Sequence, residues 1–115
     1  MSICRGVIVI TPDAYLNAGK IINAAEEQAF TITNLKMARR NKQEAERLLE
    51  PMRGNPKYGE MVGHLCSDLV IAVEVLAENC VKRVQEFVGS MQNQYGSDPV
   101  KCAVVGSDSA QNAAR

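Results

Sequence analysis

Apolar residues along this chain come in short runs, separated by segments where they recur every three or four positions. Ile8, Val9 and Ile10, closed by Thr11-Pro12-Asp13, predict a short buried first strand. From Leu16 to Ala29 the residues Ala18, Ile21, Ile22, Ala25 and Ala29 fall at helical spacing, with Lys20, Glu26 and Glu27 on other faces. Thr31 to Met37 is rich in β-branched residues but only partly apolar, as an edge strand would be. Lys42 to Leu49 reads as a short helix with Ala45, Leu48 and Leu49 on one side. Pro51 and Gly54-Asn55-Pro56 punctuate it, and Tyr58 to Leu65 offers another through Met61, Val62 and Leu65.

Leu69-Val70-Ile71-Ala72-Val73 is the strongest strand signal, continuous enough for the middle of a sheet. Glu78 to Val88 returns to helical period through Val81, Val84, Phe87 and Val88, and Gly89 supplies a stop. Ser90 to Pro99 reads as a polar loop and Val100 to Val105 as a last strand, after which Ser107 opens a helical tail. The order strand, helix, strand, short helices, strand, helix, strand is the split βαβ, or ferredoxin-like, α+β arrangement. It implies a four-stranded antiparallel sheet with two helices on one face. Leu69 to Val73 and Val7 to Ile10 belong in its centre, Thr31 to Met37 and Val100 to Val105 at its edges. No repeat or linker divides residues 1–115, so one domain is expected.

Composition narrows the function classes. Lys and Arg number 13, as do Asp and Glu, which leaves no electrostatic footprint for nucleic acid or an anionic membrane. Lys36, Arg39, Arg40 and Lys42 form the one local basic cluster, read as a solvated face. The 4 cysteines, Cys4, Cys66, Cys80 and Cys102, are widely spaced and accompanied by a single histidine, His64. That fits neither a zinc site nor a dense disulfide framework, and predicts buried free thiols in a reducing compartment. The N-terminal apolar stretch is too short for a signal peptide, and no run approaches a membrane span of ~20 apolar residues. A soluble, intracellular protein is expected.

Val104-Val105-Gly106-Ser107-Asp108-Ser109 resembles the nucleoside diphosphate kinase signature Asn-x-x-His-Gly-Ser-Asp-Ser. Thr11-Pro12-Asp13-Ala14 is similar to that family's Lys-Pro-Asp-Gly or Lys-Pro-Asp-Ala. Ala18-Gly19-Lys20-Ile21-Ile22 and the run Ala29 to Met37 look like its first helix and second strand, most of all those of the first module of the two-module axonemal homologue. The likeness covers about Val7 to Ala114. It implies the nucleoside diphosphate kinase fold and, in the intact family, phosphoryl transfer through the signature histidine.

Here the histidine position is Val105, whose side chain has no lone pair to form a phosphoryl intermediate. The resemblance places further losses at Cys102 for Asn, Thr11 for Lys, Leu49 for Tyr, Lys57 for the base-stacking aromatic and Gln85 for Arg. The stretch Ser90 to Lys101 is about half the family's length, too short for the Kpn loop that supports its hexamer. His64 matches no catalytic position and reads as a surface or helix-end residue. Cys102, among valines and an alanine, lacks the setting that activates a thiol.

These residues imply an inactive kinase-like domain acting as a structural or interaction component. The likeness to the axonemal homologue implies protein partners, tubulin or other proteins of a ciliary or flagellar axoneme. A homodimer through Thr31, Ile32, Thr33 and Leu35 follows from the family's dimer surface. No cofactor is expected. A nucleotide-binding regulator, or a divergent kinase using Mg and ATP, is the alternative.

Overall fold

The computed structural model describes residues 3–106; the expected tail from Ser107 lies outside them. Strands β1 (Ile3–Ile10), β2 (Thr31–Arg39), β3 (Leu69–Glu78) and β4 (Val104–Gly106) form one antiparallel sheet in the order β2-β3-β1-β4. The apolar runs are central and the two mixed segments lie at the edges, as their composition requires.

Alternation sends the two sides of each strand into different cores. Ile8 and Ile10 of β1 face the same way as their cross-strand neighbours Val73 and Ile71. They pack with Ile21 and Ala25 of α1 (Ala18–Glu27) and with Val84, Phe87 and Met91 of α4 (Cys80–Tyr95). Val9 and Val70 point the other way, onto Ala45 of α2 (Lys42–Leu48) and Met61, Val62 and Leu65 of α3 (Tyr58–Cys66). The two long helices share one face, as predicted, but the short ones cover part of the other. Phe30 and Phe87 meet edge-on at 5.6 Å and anchor the first core, with the Arg83 guanidinium over the Phe30 ring.

Several boundaries differ from the sequence reading, each for a local reason. β1 begins at Ile3 because Cys4 and Gly6 continue the inward face while Arg5 points out towards Glu74. α1 is shorter than Leu16 to Ala29. Pro12–Asn17 forms a 3-10 turn that leaves Leu16 98% exposed, and Ala29, at φ 66°, turns the chain out of the helix. β3 continues to Glu78, with Val75 and Ala77 buried and Glu74 and Leu76 on the opposite side.

The largest difference is α4, which runs through Gly89 to Tyr95 where a loop was expected from Ser90. Met91 and Tyr95 extend the apolar stripe of Val84, Phe87 and Val88, and burying it outweighs the low helix propensity of one glycine. β4 is correspondingly short. Residues 97–101 close a turn in which Asp98 accepts backbone hydrogen bonds from Val100 and Lys101, so Val100 is not in the sheet. Gly106 lets β4 approach α4: a Cβ there would lie 2.7 Å from a methyl of Val88.

Candidate functional site

Where β1 ends, Thr11 and Pro12 stop the strand and start the 3-10 turn that brings Asp13 back beneath it. The Asp13 carboxylate is the local hub. Its Oδ1 accepts from Thr11 Oγ1 at 2.5 Å and contacts His64 Nε2 at 2.7 Å, while its Oδ2 accepts from the Ala103 backbone N–H at 3.1 Å. Thr11 N–H in turn donates to the Ala103 carbonyl at 2.9 Å. This ring holds Ala103 at φ 76°, a left-handed conformation that a non-glycine residue adopts only at a cost of about 1–2 kcal/mol.

Beside this hub lies a cleft of about 70 Å³, lined by Thr11, Leu49, Met61, His64, Gln92, Val105 and their neighbours. Met52, Leu65, Pro99, Val100 and Cys102 complete its wall. α2 delivers Leu49 at its C-terminal end, α3 delivers His64 in its last turn, and the extended α4 delivers Gln92, whose amide donates to the Val104 carbonyl at 2.9 Å. The cleft is about half the size of the ~150 Å³ apolar cavity that takes one benzene ring. Its lining contains no Lys or Arg among the described residues.

Of the positions singled out in the sequence, Thr11, Leu49, Cys102 and Val105 converge on this cleft. Lys57 and Gln85 do not. Lys57 caps the start of α3 on the surface, 3.8 Å from Glu60, and Gln85 is exposed on α4. Gln92, seven residues and about two turns beyond Gln85 on the same side of the helix, reaches the cleft instead. Ser107 and Asp108 lie outside the described residues.

His64, expected at the surface or a helix end, stands in the last turn of α3, but its side chain is only 15% exposed and faces Asp13, 51 residues away in sequence. No local pattern carries that pairing. Burial, and then the Asp13 charge, push the Cys102 thiol above its ordinary range, which leaves it protonated at neutral pH and a poor nucleophile.

The sequence profile of nucleoside diphosphate kinases matches residues 5–115. The chain belongs to the nucleoside diphosphate kinase family. The nucleoside diphosphate kinase of Aquifex aeolicus is 30% identical, over 98% of this chain and 90% of its own length. A crystal structure of the Aquifex aeolicus kinase superposes with a TM-score of 0.84 at 28% identity, covering 98% of this chain and 91% of that one. The kinase structure from Encephalitozoon cuniculi, at 24% identity and a TM-score of 0.78, shares the fold. Nucleoside diphosphate kinase homolog 7 of Rattus norvegicus is 32% identical over 96% of this chain, which spans only 31% of that protein.

Asp13 joins three segments of this family member, so its removal should be felt in stability. Asp13→Ala strands the Thr11 hydroxyl, the His64 ring and the Ala103 N–H and should cost about 3 kcal/mol in urea unfolding. His64→Ala, which leaves Asp13 two other donors, should cost about 1 kcal/mol. An Asp13→Ala protein as stable as the parent would show that the hub carries no weight.

Proposed function

We propose that this chain is a catalytically inactive member of the family, retained as a structural or interaction module. One observation carries the reading: the cleft at the signature position is walled largely by Val105, Leu49, Met52, Met61 and Leu65, with no Lys or Arg among its described lining residues. Phosphoryl transfer is chiefly positioning and charge stabilisation, so a site without Lys or Arg to hold the phosphates lacks most of the catalytic effect even before the nucleophile is considered. The histidine that does line the cleft is tied to Asp13 as a strut.

The surface supports an interaction role. β2 is an edge strand, and Leu35 and Met37, 47% and 54% exposed, lie on the face of the sheet that α1 and α4 cover further in. Thr31 and Thr33 are also exposed, while Ile32 packs partly against the core. This edge offers both unpaired backbone groups and apolar side chains to a second copy. The placement implied by residues 18–22 and 29–37, in a microtubule doublet of a ciliary or flagellar axoneme, belongs to the same proposal. Tubulin or a neighbouring doublet protein would then be the partner.

Incubation with γ-labelled ATP and a nucleoside diphosphate should give no transfer above the blank and no acid-labile phosphoprotein. Val105→His alone should stay inactive, because groups that act as a unit do not contribute separately. Turnover by that single variant would show that the rest of the site is intact.

Sedimentation should find a dimer and no hexamer. The double substitution Leu35→Lys, Met37→Lys should weaken the dimer at least tenfold, about 1.4 kcal/mol. An unchanged dimer would move the interface elsewhere.

Fractionation of ciliated cells should place the protein in the detergent-resistant axonemal pellet. Recovery entirely in the detergent extract would sink the axonemal placement and leave the loss of catalysis standing.

A further inference from the structure

Cys4 and Cys80, 76 positions apart in the sequence, meet at the end of the sheet away from the cleft. Cys4 lies opposite Ala77 on β3, on the side of β1 that packs against α4. Asn79, at φ 53°, turns the chain from β3 into α4, so that Cys80 becomes the first residue of the helix. The Asn79 side chain makes no capping bond; the Cys80 backbone N–H donates instead to Cys4 Sγ at 3.2 Å. Gly6 stands two residues beyond Cys4 on the same face, and a Cβ at Gly6 would lie 2.8 Å from Cys80 Sγ. Both sulfurs therefore occupy one compartment between β1 and α4.

We propose that Cys4 and Cys80 form an oxidation site that closes to a reversible disulfide on exposure to a peroxide. Cys4 is half-buried and reacts first, while Cys80 is buried and resolves. The Cys4 sulfur attacks one peroxide oxygen, the O–O bond breaks, and the other oxygen leaves as hydroxide, which is protonated to water. The Cys80 sulfur, having given up its proton, attacks the resulting sulfenic acid; the S–O bond breaks and a second water departs. Two thiols and one hydrogen peroxide become one disulfide and two waters. Burial, then the hydrogen bond with the Cys4 thiol, push the Cys80 thiol up to about 11, so the closing step accelerates as pH rises towards that value. A disulfide requires Cα atoms about 4.4–6.8 Å apart, a span consistent with a backbone N–H of one cysteine bonded to the sulfur of the other. Cys66 lies on α3 and Cys102 at the cleft, where its thiol donates to the Val104 carbonyl.

The site lies seven residues along β1 from Thr11, roughly 23 Å at the rise of a strand. Oxidation would thus fasten the first strand to α4 without entering the cleft.

The test treats the reduced 115-residue protein, in a Cys66→Ser background, with stoichiometric hydrogen peroxide. Tryptic mass spectrometry should find the peptide Met1–Arg5 joined to Tyr58–Lys82, lighter by two hydrogens and separable by dithiothreitol. The oxidised protein should melt roughly 10 °C higher, as a long closed loop predicts. Cys4→Ser and Cys80→Ser should each abolish the link and the shift. Cys4 recovered as sulfinic acid with Cys80 still free, a link through Cys102, or all the thiols of the Cys66→Ser protein left unchanged would each overturn the proposal.

Discussion

The Asp13 carboxylate is where the two halves of the topology are tied, and much of the region around the cleft depends on it. Strand β1 and the last strand β4 are adjacent in the sheet yet nearly the whole chain apart. β4 contributes only three residues of pairing, too little to hold a left-handed Ala103 in place. Asp13 supplies what the ladder lacks by accepting the Ala103 N–H and, from its other oxygen, holding Thr11 and His64. A carboxylate whose side chain is 14% exposed has three hydrogen-bond partners here, so little of its polar capacity is left unmet. The same residue therefore positions α3 against the sheet and the start of β4 against β1.

That arrangement gives the Pro12-Asp13 motif a structural role of its own. Pro12 fixes the turn that returns Asp13 beneath the strand, and Asp13 serves the fold in full with Thr11 at its side. Gly106 likewise has a packing reason, since Val88 fills the space a Cβ would take. These residues need no chemistry to account for them. Val105 and Leu49, by contrast, place hydrocarbon on the cleft wall where a phosphate site needs polar donors.

The sheet was legible in the chain because its information is local: continuous apolar residues at Ile8–Ile10 and Leu69–Val73, mixed ones at Thr31–Met37. Extensions were not legible where alternation took over from a run. Glu74 ends the apolar stretch to the eye, yet Val75 and Ala77 keep the inward period of two. Gly89 reads as a stop only if Met91 and Tyr95 are not counted as the next turns of the same stripe. The cleft was half legible. Thr11, Leu49, Cys102 and Val105 came from a matched motif, whereas Gln92 required the full length of α4 and His64 required knowing which carboxylate it meets. Side-chain pairing across 51 positions leaves no trace in periodicity.

The turn at residues 97–101 has a consequence for how anything enters the cleft. Asp98 ties the backbone of Val100 and Lys101, Ser97 N–H returns to the Lys101 carbonyl, and Gly96 is wedged where a Cβ would strike the carbonyl of Gln92. Pro99, Val100 and Cys102, on or just past this turn, form one rim of the opening. A rim so closely bonded to itself has no hinge, and a lid needs one to swing shut and exclude water. Any guest must therefore fit this rim as it stands. Past this rim, entry and escape would be ungated.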